Sequence, residues 1–456
     1  MYRLPLLKRL AVTVAALSAG LTAADVSVAQ GWLRLTAPNS NLGPIACSAD
    51  GSSLLLASGD IPNEGDVLYV SHDSGATWTA ASMPNGSWHA VASSADGTVL
   101  MAAQPWWSRA VFISTNSGAT WSQAALPVAA WEGVACSANG AVLYATASRT
   151  TNGSPEGIYS SADRGATWSQ AGVPPPTTNG LWSPVACSAD GTRVIWGEGS
   201  HVWISTNSGM SLRLAFTLDP PYLDPGDQFL CSSLACSADG REVAVGTDSI
   251  FGGGYPQVAV ATSADSGTTW AWSLSTIPTN ALENGGVQTW LAVWVSADGR
   301  RLAAGGVGGG YPEGGLPGGP VLVSEDFGAS WVEPPGTADP GWGGSLAPWT
   351  GLAMSADGLK LTGVFMDGCC GNLHPGAVAQ QQALAPAMGI GVSAGRLVVS
   401  WVVPSANFAL QQSSDIGVAN WTDVPSAPVL NYSTLREEVT VPSPGKQMFY
   451  RLVSRP

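Results

Sequence analysis

Several aromatic rings and carboxylates, the kinds of side chain that bind and cleave sugars, lie in variable segments of this chain, many of them rich in Gly and Pro. A glycosidase needs two carboxyl groups about 5 Å or about 6.5–9.5 Å apart, and rings around an opening can stack on sugars. Spacing along the chain leaves both roles open, because the rings could instead pack the loops together and the carboxylates could simply be solvated. The candidate ligand-binding residues are Trp106, Trp107, Tyr222, Tyr255, Tyr311 and Trp342. The carboxylates of the same segments are Asp60, Glu64, Asp66, Glu156, Asp219, Asp224, Asp227, Asp248, Glu283, Glu313 and Asp339.

Signatures of metal and cofactor binding are weak. The carboxylates in segment 219–227 could supply hard oxygen ligands to calcium, but the segment lacks a recognised calcium-loop pattern. The four histidines show no paired metal-ligand spacing. No phosphate-binding glycine loop, nucleophile elbow or catalytic triad signature is found. We therefore expect no cofactor, and calcium stays open as the alternative.

The seven cysteines do not indicate a disulfide framework. Four of them occupy one equivalent position, directly before the serine of a short repeated motif, and equivalent positions in successive repeats should be too far apart to bridge. These four, expected to be small buried packing residues, are Cys47, Cys136, Cys187 and Cys236. The adjacent Cys369 and Cys370 could form a strained bridge or, with Asp367 and His374, bind a metal. An odd number leaves at least one thiol free in a monomer.

Two short motifs repeat along the chain at intervals of about fifty residues, and such a period indicates an array of similar units. The seven copies of the first motif, Ser-Ala-Asp-Gly or a near match, lie at 48–51, 94–97, 137–140, 188–191, 237–240, 296–299 and 355–358. The six copies of the second, an eight-residue turn such as SerHisAspSerGlyAlaThrTrp, lie at 71–78, 114–121, 161–168, 205–212, 263–270 and 324–331.

The residue types of the eight-residue turn favour a structural role. An Asp or Asn oxygen can accept backbone N–H bonds within its own turn, Gly supplies a positive φ, and a Trp can be buried between neighbouring sheets. The Asp and Asn positions are Asp73, Asn116, Asp163, Asn207, Asp265 and Asp326. The Trp positions are Trp78, Trp121, Trp168, Trp270 and Trp331, with Leu212 in the fourth copy.

Each repeat predicts four short strands. In segment 88–125, apolar stretches at 88–93, 99–103, 110–114 and 121–125 are separated by turn signals, which indicates antiparallel β-structure. Four strands per repeat, repeated several times, is the pattern of a β-propeller. Seven copies of the short motif predict seven blades. Segment 31–38 aligns with the residues after each eight-residue turn, so we expect the N-terminal strand to complete the last blade and hide its edge.

The pattern Ser-x-Asp-x-Gly-x-Thr-Trp resembles the Asp-box, or bacterial neuraminidase repeat, over roughly residues 31–380. The Asp-box recurs in sialidases, xyloglucanases, sortilin-type receptors and propellers similar to photosystem II assembly factors. From about residue 386 the chain resembles the small immunoglobulin-like modules of secreted bacterial proteins. These resemblances imply an all-β protein, a seven-bladed β-propeller with a small C-terminal immunoglobulin-like β-sandwich.

The resemblance implies a test for sialidase chemistry, which uses three arginines, a Tyr nucleophile with a Glu partner, and an acid/base Asp. The usual Arg-Ile-Pro segment is absent. The residues that directly follow the short motif, and so emerge away from the long loops, include Arg193, Arg241, Arg300 and Arg301. A xyloglucanase-like enzyme pairs two propellers, and one is predicted here. Both activities are disfavoured, and a glycoside hydrolase with an unrecognised carboxylate pair is the alternative.

Residues 1–29 resemble a secretory signal, with a basic start, an apolar run at 10–24 and small residues before the expected cleavage site. Removal of this segment takes away three basic residues and Asp25, which leaves 15 Lys+Arg, 31 Asp+Glu and a net charge of −16. Such a charge disfavours nucleic acid and anionic membranes. We expect a secreted, periplasmic or cell-surface monomer without a membrane span.

The predicted domains are a signal peptide at 1–29, a propeller at 30–385 and a sandwich module at 386–456. In the propeller, both repeated motifs should lie at one end of the sheets, and the long variable segments should lie at the other. Variable loops on a rigid scaffold are where binding residues usually occur. The sequence therefore predicts a non-catalytic protein that binds a glycan or a protein through its loop-rich face.

Overall fold

The computed structural model is all-β in the part of the chain it describes, which has no helix and so none able to span a membrane. The described residues are 33–36, 38, 42–58, 67–83, 86–104, 109–148, 157–172, 184–219, 229–249, 259–273, 287–309, 321–334, 349–367, 374–382, 388–393, 396–404, 408–414, 421–441 and 448–454.

The first half of the described chain begins with β1 (Leu33–Thr36) and continues through four small sheets. Sheet 1 contains β2 (Leu42–Cys47), β3 (Leu54–Ser58), β4 (Leu68–Ser71) and β5 (Thr79–Ala80). Sheet 2 contains β6 (Ala90–Ser93), β7 (Leu100–Ala103), β8 (Val111–Ser114) and β9 (Ser122–Gln123). Sheet 3 contains β10 (Ala130–Cys136), β11 (Leu143–Ser148), β12 (Gly157–Ser161) and β13 (Ser169–Gln170). Sheet 4 contains β14 (Val185–Cys187), β15 (Val194–Glu198), β16 (His201–Ser205) and β17 (Arg213–Thr217).

Three further sheets follow, and the last of them incorporates β1. Sheet 5 contains β18 (Phe229–Cys236), β19 (Val243–Ser249), β20 (Val260–Ser263) and β21 (Ala271–Trp272). Sheet 6 contains β22 (Val287–Val295), β23 (Leu302–Gly309) and β24 (Val321–Ser324), with a single bridge from Val323 to Val332 at its outer edge. Sheet 7 contains β25 (Trp349–Met354), β26 (Lys360–Asp367), β27 (His374–Gln382) and β1.

The N-terminal strand completes sheet 7, as its sequence predicts. Strand β1 pairs antiparallel with β27, with Leu33 opposite Gln380 and Thr36 opposite Ala377. The first described strand therefore covers the edge of the last sheet in this part of the chain. A covered edge leaves no unpaired backbone groups to template pairing with another chain.

Both repeated motifs lie at the same end of the sheets. In sheet 1, Cys47 lies opposite Leu54, and Leu54 lies opposite Ser71. The turn after β2 and the turn after β4 are therefore neighbours. The same register recurs in the other sheets that carry both motifs, for example Ser93, Leu100 and Ser114 in sheet 2. We call this end of the sheets the motif end and the opposite end the loop end.

Backbone hydrogen bonds join the seven short motifs into a closed ring at the motif end. The N–H of Ala49 donates to the carbonyl of Ala95 at 2.8 Å, and the N–H of Ala356 donates back to the carbonyl of Ala49 at 2.7 Å. Each bond joins one sheet to the next, so the described sheets close on themselves. The ring passes through Ala49, Ala95, Ala138, Ala189, Ala238, Ala297 and Ala356.

The hydrophobic core is divided among the interfaces between neighbouring sheets. Each cluster combines buried residues from two successive sheets, for example Val70 of sheet 1 with Leu100 of sheet 2, or Val260 of sheet 5 with Leu302 of sheet 6. Sheets 7 and 1 share such a core through Val364 and Leu42. Burial of apolar surface therefore stabilises each interface between neighbouring sheets around the ring. Two smaller clusters contain the ring alanines at the motif end.

The C-terminal part of the described chain forms two further sheets on one shared core. The first contains β28 (Met388–Ser393), β29 (Arg396–Val402), β32 (Val429–Asn431) and β33 (Arg436–Val441). The second contains β30 (Phe408–Ser413), β31 (Thr422–Asp423) and β34 (Phe449–Ser454). Trp401 and Val439 of the first sheet pack with Leu410 of the second.

Candidate functional site

The short motif is a turn held by one buried serine. In sheet 1 the Ser48 hydroxyl donates to Asp50 Oδ1 at 2.5 Å, and the Ser53 N–H donates to the Ser48 hydroxyl at 2.9 Å. The glycine of the turn, Gly51, has φ +65°, a conformation that side chains other than glycine rarely adopt. All seven copies form this pair of bonds, and their serines are at most 2% exposed.

The eight-residue turn uses the same chemistry at the outer strands. The Gly75 N–H donates to the Ser71 hydroxyl at 2.8 Å, and the Ser71 hydroxyl donates to Asp73 Oδ1 at 2.8 Å. Asp73 also accepts the backbone N–H of Thr77 at 2.8 Å and the Thr77 hydroxyl. The bond from the glycine N–H to the serine hydroxyl is present in all six copies.

A second residue with positive φ in each eight-residue turn joins the two motifs. Ser74 has φ 63°, and its N–H donates to the carbonyl of Ser52 beside the short motif at 2.7 Å. Phe327, with φ 55°, bonds in the same way to Arg300. A non-glycine residue in this region is uncommon, and the sequence does not reveal it. This link fixes the outer turn onto the inner one.

These hydrogen bonds keep the repeated carboxylates ionised. The hydroxyl and the backbone N–H of Thr77 lower the pKa of Asp73 to about 2. The equivalent bonds from Thr167 lower the pKa of Asp163 to about 2, and those from Thr269 lower the pKa of Asp265 to about 2. A general acid or base works best with a pKa near the working pH. These aspartates therefore suit turn formation and do not suit proton transfer.

Each indole of the eight-residue turns packs into the interface with the preceding sheet. Trp121 of sheet 2 joins the core that contains Val70 of sheet 1, and Trp331 of sheet 6 joins the core that contains Val260 of sheet 5. In three copies the indole N–H donates to the carbonyl of the turn glycine at 3.1–3.3 Å. The indole thus fills the space between two sheets and satisfies a carbonyl at once.

The axial opening of the ring is filled at the motif end by one residue of the two C-terminal sheets, β28–β34, which we call the C-terminal module. Leu435 lies between β32 and β33 with φ 50°, and its side chain packs against the alanines of the ring. The buried Val402 and Val403 cover Ala49 and Ala356 beside it. The N–H of Val403 donates to the Leu435 carbonyl at 2.9 Å, which holds the tip of this hairpin in place.

Polar contacts surround this apolar plug. The Tyr432 hydroxyl lies 3.4 Å from Asp96 Oδ2 in the short motif of sheet 2. Burial lowers the pKa of Arg436, and the Asp298 carboxylate of sheet 6 opposes that shift. Two of the short-motif aspartates, Asp96 and Asp298, therefore interact with the C-terminal module.

Behind the plug lies a cavity of about 170 Å³ lined by Leu435, the ring alanines and the last residues of the inner strands. Its thiols are Cys47, Cys136, Cys187 and Cys236. They are unbridged, as expected, and each packs against a core between two sheets, also as expected. They are half-buried and not buried, because they also line this cavity. Burial raises the pKa of Cys47, Cys136 and Cys236 to about 12, so each stays a neutral thiol at physiological pH.

At the loop end, the described residues include a short polar contact between two neighbouring sheets. His89 Nε2 lies 3.1 Å from Glu132 Oε2, and both residues lie near the starts of the inner strands β6 and β10. A β-bulge between Trp131 and Gly133 sets the direction of Glu132. Sequence reasoning did not find this pair, because His89 and Glu132 belong to different repeats and share no spacing signal.

The six candidate ligand-binding residues, Trp106, Trp107, Tyr222, Tyr255, Tyr311 and Trp342, lie outside the described residues. Of the calcium candidates, Asp219 is described and exposed, whereas Asp224 and Asp227 lie outside the described ranges. Within those ranges, no group of three or more His, Cys, Asp or Glu residues is placed to hold a metal ion. Cys369 and Cys370 also lie outside them.

Two described arginines are held at the motif end. The Arg213 guanidinium donates to the carbonyls of Ser266 and Gly267 in the eight-residue turn of sheet 5. The Arg301 guanidinium donates to the Gly358 carbonyl at 3.3 Å and pairs with Glu325 at 2.9 Å. Neither side chain can join an arginine cluster at the loop end, because both are bonded at the opposite end of the sheets.

No protein-family model matches this chain, and no curated protein matches it. Among solved structures, the chain is similar to YCF48 from Cyanidioschyzon merolae, with 15% identity, a TM-score of 0.50, and coverage of 77% of this chain and 98% of that one. It is also similar to YCF48 bound to a D1 peptide, with 14% identity, a TM-score of 0.49, and coverage of 78% and 96%. A GH74 xyloglucanase from Xanthomonas campestris matches with 15% identity, a TM-score of 0.42, and coverage of 79% and 69%. At such identity the first likeness shows the β-propeller fold alone.

Proposed function

We propose that this protein is an exported, non-catalytic binding protein that recognises a glycan or a protein at the loop end of a seven-bladed propeller. In this proposal the seven described sheets are the blades of residues 30–385. Residues 386–456 form an immunoglobulin-like sandwich, and residues 1–29 are a signal peptide removed on export. The mature protein acts as a monomer at the cell surface, in the periplasm or outside the cell.

The observation that carries this proposal is the closure of the motif end. Leu435 fills the axial opening there, and the ring alanines pack around it. The aspartates of the two motifs are engaged in their own turns. A ligand that approaches the axis therefore has access from the loop end, where the long variable segments leave the sheets.

The loop end also supplies suitable chemistry. The polar contact of His89 with Glu132 lies at that end of the inner strands. The aromatic candidates Trp106 and Trp107 belong to the segment between β7 and β8, which leaves the sheet at the same end. Aromatic and polar side chains together are suited to the recognition of a sugar or of an amphipathic protein surface.

A ligand screen combined with a turnover assay tests this proposal. The full-length protein is applied to a glycan array and a peptide array, and pooled polysaccharides are assayed for hydrolysis. We expect saturable binding without hydrolysis, and binding reduced at least about tenfold by Trp106→Ala and by Trp107→Ala. Val332→Ala, at an exposed position on the outer edge of sheet 6, is the matched control and should leave binding unchanged.

Hydrolysis would establish the glycoside hydrolase instead, provided that one loop carboxylate-to-amide change abolished it. Binding that survived both Trp variants but was lost on substitution at the motif end would contradict the proposed location of the site.

A further inference from the structure

The fourth eight-residue turn, at 205–212, differs from the other five because Leu212 stands where they have a tryptophan. The turn itself is intact. Its Gly209 N–H donates to the Ser205 hydroxyl at 2.9 Å, and Gly209 has φ +85°. The loss therefore affects the space between sheets 3 and 4 and not the conformation of the turn.

A backbone group has replaced the hydrogen bond of the missing indole. In sheet 2, Trp121 Nε1 donates to the Gly118 carbonyl at 3.1 Å. In sheet 4, the equivalent Gly209 carbonyl accepts the N–H of Gly172 from sheet 3 at 2.8 Å. A Cβ atom on Gly172 would lie 3.1 Å from that carbonyl oxygen, so the close approach of the two strands favours glycine. The polar group is satisfied, and Leu212 packs against the core of this interface, but its side chain is smaller than an indole.

A cavity of about 590 Å³ occupies this interface. Its volume lies within the range of small-molecule sites, roughly 300–1,000 Å³. The buried Tyr144 and the half-buried Ala171 of sheet 3 contribute apolar lining, and Ser160 and the exposed Ser169 of the same sheet contribute hydroxyls. Met210 of the fourth turn lies at the rim and is 80% exposed.

We propose that this cavity binds a small planar aromatic molecule that carries a hydrogen-bonding group, of the size of an indole. The neighbouring interfaces indicate what kind of ligand would fit. The interface of sheets 1 and 2 and that of sheets 2 and 3 each hold an indole at the corresponding place. Ser160 and Ser169, which are opposite each other across β12 and β13, offer the ligand hydroxyl partners. Met210 offers a polarisable thioether, which contacts aromatic rings favourably. This proposal does not rest on the proposed function at the loop end.

Titration of the full-length protein with 5-fluoroindole, followed by ¹⁹F NMR, tests the site. We expect one saturable site with a dissociation constant on the order of 0.1–1 mM, as for a fragment of this size. Leu212→Trp restores the indole and should weaken binding at least about tenfold. Trp121→Leu opens the equivalent space between sheets 1 and 2 and should raise the number of sites from one to two.

A second pair of measurements does not depend on the folding of those variants. Ser160→Ala should weaken 5-fluoroindole binding by about threefold or more, whereas the binding of fluorobenzene, which has no hydrogen-bonding group, should not change. Saturable binding that persists in folded Leu212→Trp would overturn the proposal. Absence of saturable binding to the wild-type protein up to about 5 mM, beyond the expected fragment range, would do the same.

Discussion

Two openings lie at the motif end of this molecule, and they differ in what fills them. The opening on the axis of the ring is filled by Leu435 from the C-terminal module. The opening between sheets 3 and 4 lacks the indole that fills the comparable space between sheets 1 and 2, and a cavity is present there. One opening is closed by a residue outside the repeats, and the other is opened by a change inside a repeat.

The difference shows what a repeated motif can and cannot do. An interface between two sheets is made by residues of those two sheets, so one Trp per repeat can fill it. The axis is surrounded by all seven sheets, and the residue each contributes to the hydrogen-bonded ring is an alanine. An alanine is too small to close such an opening, so the plug comes from another part of the chain.

The largest expected effect follows from creating a second unfilled interface. Trp121→Leu removes the indole from the core of sheets 1 and 2 and its bond to the Gly118 carbonyl. Because no backbone group is shown to replace that bond, we expect the free energy of unfolding to fall by about 2–4 kcal/mol. Urea denaturation measures this free energy, and Ser122→Ala, at an exposed position, is the control. A loss below about 0.5 kcal/mol, the range of ordinary surface changes, would remove the distinction between the two interfaces.

A smaller difference in stability is expected between alanine variants of two glycines that have the same conformation. Gly118 and Gly209 both have φ +85°, so replacement by alanine strains both equally. A Cβ atom on Gly118 would lie 2.6 Å from Val70 Cγ2, whereas on Gly209 it would lie 3.0 Å from Ala171 Cβ. We expect Gly118→Ala to cost about 1 kcal/mol more than Gly209→Ala in urea denaturation, because overpacking adds to the strain. Equal costs would mean that the interface of sheets 3 and 4 is packed as tightly as its neighbour.

The smallest expected effect is on how the stability of the protein depends on pH. Hydrogen bonds lower the pKa of Asp73, Asp163 and Asp265 to about 2, below the value of about 3.9 in an unfolded chain. Their contribution to stability is therefore present above about pH 4 and is lost as pH falls towards 2. The triple variant with Asn at these positions keeps the turn, as Asn116 already does with its bond to Thr120.

We therefore expect the urea midpoint of the triple variant to depend less on pH between about 5 and 2 than that of the wild type. Identical pH profiles would show that these turns unfold without change in carboxylate ionisation.

Much of the fold could be predicted from sequence, because the two motifs recur at regular spacing. The strands after Ser94 and Ser114, the glycine turns and the pairing of the N-terminal strand all follow from that regularity. The plug could not be predicted, because Leu435 occurs once and its contact is more than three hundred residues distant from Ala49. The polar contact of His89 with Glu132 could not be predicted either, because the two residues belong to different repeats and share no spacing signal.

The candidate site is less predictable than the fold. The loop aromatics were selected by residue type, and they lie outside the described residues. The cavity between sheets 3 and 4 has a signal in the sequence, since one of the six eight-residue turns lacks its Trp. What the missing Trp does to the interface depends on Gly172, whose N–H reaches the Gly209 carbonyl only in the folded protein.

The central claim is that Leu435 closes the motif end of the axis, and alkylation of the thiols behind it tests this most directly. The full-length protein and its Leu435→Asp variant are treated with iodoacetamide at about pH 8, and each cysteine is followed by peptide mass spectrometry. The exposed Val429→Asp, on the same hairpin, is the control variant, and the fully buried Cys231 is the control thiol.

Because the thiolate is the reactive form and burial now suppresses it, we predict that Leu435→Asp accelerates alkylation of Cys47, Cys136, Cys187 and Cys236 by about tenfold or more. The alkylation rate of Cys231 should be the same in Leu435→Asp as in the wild type. In Val429→Asp, all five thiols should react at the wild-type rates. Equal rates for the four axial thiols in the wild type and in Leu435→Asp would contradict the account.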